Sequence, residues 1–511
     1  MTDSPPVLPD SPASDAGESA VPEGASGALR EVLHQAADRV ADYLEGLGGA
    51  PIFPTAAAAP EGAPLPDRGE ELGALFDDAA DWAVANSVHV GHPGYVGHMD
   101  SGVAVAGILG DFLASALNQN LLAYELAPGA TLLEKKLVSF FAAESGFDEG
   151  AGGLFTTGGT GANLTALLLA RDAASRDASR RGLSAEHRLC VLASADAHYS
   201  LAKACAVIGL GSEQVIQVPV SGPERRMDAA ALPALREQAV RDGLRPIAVV
   251  ATAGSTSCGA LDPVDAAADF CEEHGLWLHV DGAHGGALLL HPREKARLGA
   301  VHRADSLTLD PHKWLYAPKS AGLLVVRRAE DLVTAHYDAP YLDRFSSHGE
   351  ALPVSQGRRA LDGSRRFDAL KVWMLLRHFG RDGLTAILDS RLSLARELHQ
   401  HLAEHPFFRP CHRPDLNVVT FRPRQEPPEG AMRAVHQAIE AEGAFWPSYT
   451  RLDGVPCHRM VLLNPSTTFA HLSQLLERME EAHLAFEKGR SGPPGALLHS
   501  QACRPSGSAP R

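Results

Sequence analysis

Cysteine is scarce in this chain: 7 among 511 residues, with no C-x-x-C pair. Cys190, Cys205, Cys258, Cys271, Cys411, Cys457 and Cys503 are scattered and odd in number. Neither a disulfide framework nor a zinc site is indicated, no metal is expected, and a reducing cytoplasm is the expected location. Positive charge is also short, with Lys+Arg 46 against Asp+Glu 62 and a formal net charge of -16. Nucleic acid and anionic membrane are therefore excluded as partners, because both attract a positive surface. Long apolar runs are missing too. The most apolar stretch, 102–126, is interrupted by Asp111, Asn118, Gln119 and Asn120, so no membrane span is expected. The opening residues Met1-Thr2-Asp3-Ser4-Pro5-Pro6 lack the basic and apolar regions of a signal peptide. What the chain does have is 45% apolar residues and a length beyond one ordinary domain, which together predict a large core and a second, smaller domain.

Residues 1–28 are rich in Pro, Ser, Ala, Gly and acids and read as a disordered tail, and 489–511 lack periodicity in the same way. Helical apolar spacing runs from Leu29 to Leu47, ending at Gly48-Gly49, and a Pro/Ala/Gly linker follows. Beyond it, short apolar runs read as buried strands: Leu189–Ala193, Ile247–Ala251, Leu276–Val280, Ser306–Leu309 and Leu323–Val326. Helical segments at Tyr199–Ile208, Asp228–Arg241 and Val264–His274 separate several of them. This rhythm predicts an α/β fold with a mostly parallel sheet covered on both faces, and ligands beyond the carboxyl ends of its strands. From about Leu384 a long helical stretch leads to a second αβ region ending near Glu487. No internal repeat is present.

Four motifs fall where that rule puts a site. Asp310-Pro311-His312-Lys313-Trp314 follows the run ending at Leu309. A lysine shielded there can lose its proton and act as an amine nucleophile, although a surface lysine after a strand looks the same in isolation. Asp281 ends the run Leu278-His279-Val280, where an acid is costly unless it meets a cation or donors. A pyridinium N–H is such a cation; keeping that nitrogen protonated asks for roughly two to three pKa units, ~3–4 kcal/mol. A helix cap or a metal-binding aspartate is the alternative. Phe155-Thr156-Thr157-Gly158-Gly159-Thr160-Gly161-Ala162-Asn163 leads into the apolar helix Leu164–Ala170 and suits an anion at a helix N-terminus. It lacks the Lys-Ser/Thr of a P-loop, and Asn163 stands where G-x-G-x-x-G needs its last glycine. His198, in Asp196-Ala197-His198-Tyr199-Ser200, can stack on a flat ring or simply begin a helix.

Together, in the order Thr160, His198, Asp281, Lys313, these motifs resemble the group II pyridoxal-phosphate decarboxylases. That family includes glutamate, cysteine-sulfinate, diaminobutyrate and aromatic amino-acid decarboxylases. The similarity spans about His92 to Glu481. It is most specific over Leu276–Trp314 and from Asn118-Gln119-Asn120 through Tyr124-Glu125-Leu126-Ala127-Pro128. The resemblance implies an aspartate-aminotransferase-like, fold type I enzyme that binds pyridoxal 5'-phosphate and converts an L-amino acid to its amine and CO2. It implies a cofactor-bearing Lys313, a stacking His198, an Asp281 on the ring nitrogen, Thr160, Gly161 and His312 near the phosphate, and Thr256 and Ala283 beside the cofactor. Arg459, in His458-Arg459-Met460-Val461, matches the arginine that clamps the substrate α-carboxylate. Tyr341, in Asp338-Ala339-Pro340-Tyr341-Leu342, matches the loop tyrosine that returns a proton, with Tyr337 as the alternative. A homodimer is implied, with the N-terminal helix as a candidate contact. The expected organisation is a tail (1–28), a helical segment with linker (29–95), a large cofactor-binding domain (96–383), a small C-terminal domain (384–488) and a second tail (489–511).

The pattern departs from the family in three places. Asp310 stands where many relatives have asparagine, Gly282 where alanine is usual, and Gly97-His98-Met99 where acidic-substrate members read Asn-Gln-Leu. The last departure puts glutamate in doubt and makes His98 a substrate-side candidate, either for an acid or for an uncharged side chain. Other readings are an aldehyde synthase or aminotransferase on the same fold, a nucleotide-binding oxidoreductase using 159–163, and a catalytically silent binding protein. The oxidoreductase leaves Lys313 and Arg459 unexplained. The silent protein has no need of Lys313, Asp281, His198 and Tyr341 together.

Overall fold

A computed structural model describes residues 25–54, 57–61, 64–183, 188–335 and 355–490. The chain forms two compact units, Met1–His89 and Val90–Arg511. In the first, helix Ala25–Gly46 matches the expected Leu29–Leu47 but begins four residues earlier, and a second helix, Leu72–Ala85, follows the linker. Glu71 caps the second of them, its carboxylate accepting from the backbone N–H groups of Gly73 and Ala74.

The second unit is built on a seven-stranded sheet. Its strands are β1 (Gly152–Thr156), β2 (Arg188–Ser194), β3 (Val215–Val218), β6 (Leu244–Thr252), β7 (Trp277–Asp281), β8 (Ser306–Leu309) and β9 (Gly322–Val326). A two-stranded ribbon, β4 (Val220–Ser221) and β5 (Arg226–Met227), lies between β3 and β6 in the chain. The sheet order is β1-β9-β8-β7-β6-β2-β3. Only β9 runs against its neighbours; the other six strands point the same way. Alternation along each strand divides the core in two. Val249 and Ala251 of β6 and Val280 of β7 face a cluster with Leu137, Phe141, Val264 and Leu388. Ala248 and Val250 face another, with Ala166, Leu169 and Leu201. Both faces are covered, so the strands are buried throughout and most are legible as apolar runs, although β7 and β8 carry polar residues on one face. Strands β1 and β3 escape that reading: β1 opens on two glycines, and β3 is only four residues long.

A second sheet, all antiparallel in the order β10-β11-β13-β12, comprises β10 (Phe408–Pro410), β11 (Val418–Pro423), β12 (Ser448–Leu452) and β13 (Val455–Val461). Helices Ala431–Glu442 and Phe469–Arg490 pack on it through Val435, Ile439, Leu472 and Leu476. The helical stretch expected from about Leu384 follows a kink at Gly380 (φ 60°, a conformation that favours glycine) that joins it to an earlier helix within Ala369–Glu404.

Candidate active site

Five of the parallel strands deliver their carboxyl ends to one place. The turns after β1, β2, β6, β7 and β8 line a cavity of about 530 Å³ with Thr160, His198, Thr256, Asp281 and Lys313. Gly161, Ala283, His312 and His98 line it as well. Sequence reasoning named these nine residues separately, and the sheet brings them together. Strand ends beside an order reversal are where such sheets bind ligands, and the volume suits a small molecule.

The helix runs Gly159–Ala174 rather than starting at Leu164, so Gly159 and Gly161 lie in its first turn and Gly158 precedes it. The N–H groups of Gly161 and Ala162 donate to the Gly158 carbonyl, and the helix N-terminus faces the cavity at Gly159 and Thr160. Close packing explains the glycines. A Cβ on Gly159 would sit 2.9 Å from Asp310 Oδ2, and one on Gly322 of β9 would sit 2.5 Å from the Gly158 Cα.

Asp281 is the last residue of β7 and is buried. Its Oδ2 accepts from Asn163 Nδ2 at 2.8 Å and its Oδ1 from the Ala283 N–H at 3.2 Å. Lys313 Nζ lies 3.2 Å from Asp310 Oδ2, and His312 Nε2 lies 3.6 Å from the same oxygen. His312 Nδ1 donates to the Ala321 carbonyl at 2.7 Å. Asp310 Oδ2 is thus turned onto the Lys313 amine, which answers the repulsion its acid would otherwise bring to an anion site. Burial lowers the pKa of His198 and His312, so both imidazoles are neutral at pH 7. His198 Nδ1 accepts from the Ser200 N–H at 3.3 Å.

Arg459 lies on β13, paired across the sheet with Thr420 and Ser448. It is 5% exposed; its Nη1 donates to the Gly97 carbonyl at 2.9 Å and to Ser448 Oγ at 3.1 Å. Burial pushes its pKa down to about 10, which leaves it cationic at neutral pH. His98, on the cavity wall, packs edge-on against Trp446 at 5.1 Å, and burial together with Arg459 lowers its pKa. Asp100 and Lys319 form an ion pair of 2.6 Å on the same wall. Tyr341 and Tyr337 lie outside the described residues.

Two buried polar atoms on the cavity wall have no hydrogen-bond partner, Thr252 Oγ1 and Asp310 Oδ1; Arg459, whose Nε also has none, is not among the lining residues. Buried polar groups are nearly always satisfied, so such a cluster belongs to a pocket that completes itself with a ligand. Pyridoxal phosphate fits the donor set. The helix N-terminus suits its phosphate, a buried carboxylate suits its ring nitrogen, and a cavity-facing lysine suits its aldehyde. Two residues were missed in sequence. Asn163 was noted only for failing a nucleotide signature, and His284 was given no role. His284 accepts from Trp314 Nε1 through Nδ1 at 3.1 Å and donates to Asn417 Oδ1 at 2.7 Å. A polar residue after Asp281 in a buried turn was the available signal. Among the described residues no cluster of three or more His, Cys, Asp or Glu fits a metal ion, and no helix is long and apolar enough to cross a membrane.

Known proteins agree with this geometry. The family model of the pyridoxal-dependent decarboxylase conserved domain matches residues 54–424. L-2,4-diaminobutyrate decarboxylase of Rhizobium meliloti (strain 1021) is 32% identical over 436 residues, 84% of this chain and 86% of that protein. Cysteine sulfinic acid decarboxylase of Rattus norvegicus is 32% identical over 413 residues, 77% and 83% of the two chains. The crystal structure of mouse CSAD in apo form superposes with a TM-score of 0.81 at 27% identity, covering 89% of this chain and 99% of that one. The fold is that of the fold type I enzymes, and the chain belongs to the pyridoxal-dependent decarboxylase family: it is a carboxy-lyase that uses pyridoxal phosphate to decarboxylate an amino acid.

Proposed function

We propose that this chain releases the α-carboxylate of an L-amino acid as CO2 and returns the amine, with Lys313, Asp281, His198 and Arg459 as its working residues. The observation that carries the assignment is the convergence of five strand ends on one cavity containing a lysine, a buried aspartate and a helix N-terminus. Pyridoxal phosphate, when bound, supplies the electron sink for the bond that breaks. Lys313 Nζ would hold the cofactor's aldehyde, and Asp281 would keep the proton on its ring nitrogen. His198, neutral, would lie against the ring face, with Thr256 and Ala283 beside it. The helix N-terminus at Thr160 and Gly161, with His312, would hold the phosphate. Arg459 holds the substrate carboxylate; a guanidinium fork fixes its direction as well as its charge, and so aligns the bond that must break. We assign the phenol of Tyr341 to return a proton to the substrate α-carbon as the carboxylate leaves.

The substrate side chain faces His98, Met99 and the Asp100–Lys319 pair. Diaminobutyrate, cysteine sulfinate and the aromatic amino acids, the substrates in the relatives' names, are the first to screen for released CO2. The same reading makes the enzyme a cytoplasmic homodimer, consistent with the six free cysteines among the described residues. It also divides the second unit functionally into a cofactor-binding part up to 383 and a small part over 384–488 that supplies Arg459. Borohydride reduction of the holoenzyme followed by peptide mapping tests the core of the assignment. The adduct is expected on Lys313; an adduct on any other lysine, or none, overturns it.

A further inference from the structure

On β7 and β8, polar side chains share one face of the sheet in a place where apolar ones would pack. His279 and Asp281 alternate along β7, and Ser306 and Thr308 are their direct partners on β8. His279, Ser306 and Thr308 are completely buried, and Asn163, from the helix above, is 1% exposed. Burying so many polar groups is costly unless every bond is made. Here nearly all are, and the donors run in one direction.

The direction follows from Asn163. Its Nδ2 donates to Asp281 Oδ2 at 2.8 Å and to Ser200 Oγ at 3.0 Å. A flipped amide would set its oxygen against a carboxylate, so Oδ1 is the acceptor. That oxygen takes the Thr308 hydroxyl at 2.8 Å and faces His279 Nε2 at 3.0 Å. Nε2 must therefore carry the proton, which leaves Nδ1 to accept from Ser306 Oγ at 2.8 Å. Ser306 in turn accepts from Trp277 Nε1 at 2.8 Å. Trp277, Ser306, His279 and Asn163 thus form a chain in which each group donates toward Asp281. Burial keeps the imidazole uncharged, its pKa pushed down to about 4.

We infer that Asn163 and His279 are positioning residues that hold the Asp281 carboxylate aimed at the cofactor's ring nitrogen. Dipoles lined up toward an acceptor reinforce one another, and a low-dielectric interior strengthens each of them. Asn163 lines the cavity beside Asp281, and His279 reaches Asp281 only through Asn163. The inference rests on the reading of Asp281 as the partner of the ring nitrogen.

The test compares holoenzymes carrying Asn163→Leu, His279→Leu, His279→Gln and Asp281→Ala. For each, kcat, KM and the pyridoxal phosphate dissociation constant are measured, the last by fluorescence titration of the apoenzyme. Losing a charge-assisted bond to Asp281 is expected to lower kcat and weaken pyridoxal phosphate binding roughly tenfold or more in Asn163→Leu, with KM nearly unchanged. His279→Leu is expected to follow it. His279→Gln, whose amide can present an N–H where Nε2 was, is expected to recover most of the loss in both kcat and cofactor affinity. Wild-type values in both leucine variants, with Asp281→Ala inactive, would overturn the relay and leave the role of Asp281 standing. Glutamine as damaging as leucine would also overturn it. Full turnover in Asp281→Ala would overturn both.

Discussion

Arg459 combines burial, a retained charge and an unsatisfied Nε. Its fork is held at one nitrogen by the Gly97 carbonyl and Ser448, which orients the remainder before substrate arrives. A lysine would keep the charge but lose both the planar fork and the Gly97 anchor. Arg459→Lys is therefore expected to raise KM and lower kcat together, reducing kcat/KM by roughly a hundredfold, on the order of 3 kcal/mol. Steady-state kinetics on the best substrate checks this; a change confined to KM would mean that Arg459 binds without orienting. The neighbouring acid Asp310 shows how much a residue's role depends on its rotamer. In sequence it is a threat to a phosphate, whereas in the fold it faces Lys313 and His312.

The elements of the small sheet carry a separate device. His436 of helix Ala431–Glu442, His458 of β13 and His483 of helix Phe469–Arg490 form a buried line, with ring nitrogens 3.0 and 2.9 Å apart. Burial pushes His436 and His483 down to about 4 and His458 well below its ordinary value. The folded pKa values are depressed, so between about pH 6.5 and pH 4 the unfolded chain binds more protons than the folded one. Stability is then complete above about pH 6.5 and is lost as pH falls toward 4, each unit of depression being worth about 1.4 kcal/mol. Urea unfolding at pH 7.5 and pH 5.0 is expected to give a lower free energy at the acid value. His483→Phe is expected to reduce that difference; equal stability at both pH values would show that these rings do not titrate on unfolding. Because His458 precedes Arg459 on β13, acid unfolding of this sheet would also dismantle the carboxylate clamp.

At the scale of the whole molecule, apolar surface remains without a partner. Helix Val105–Leu117 exposes Val105, Leu109, Phe112, Leu113 and Leu117, each by 47% or more and all on one face. Helix Ala25–Gly46 exposes Leu29, Leu33 and Val40 at similar spacing. In the proposed homodimer a second copy would cover such stripes. If it does, Leu109→Glu combined with Phe112→Glu is expected to leave the protein monomeric in sedimentation velocity. A dimer that survives both substitutions would place the interface elsewhere.

Much of this molecule could be read along the chain. Strands β2, β6 and β9 read as apolar runs because both faces of their sheet are covered, whereas β7 and β8 are apolar on one face only. Lys313, Asp281, His198 and Thr160 were legible because each follows a strand or opens a helix, and local chemistry explains each residue type. The fold alone decided the rest. The direction of β9, the early start of the helix at Gly159 and the break at Gly380 depend on packing that no local window contains. Asn163 and His279 illustrate the reason most plainly: nothing near either in sequence points to Asp281 as the end of a hydrogen-bond chain. Only when β7, β8 and a helix are stacked do Asn163 and Asp281 come within 2.8 Å of each other. Residue types follow from local chemistry, but which donor meets which acceptor is a property of the assembled sheet.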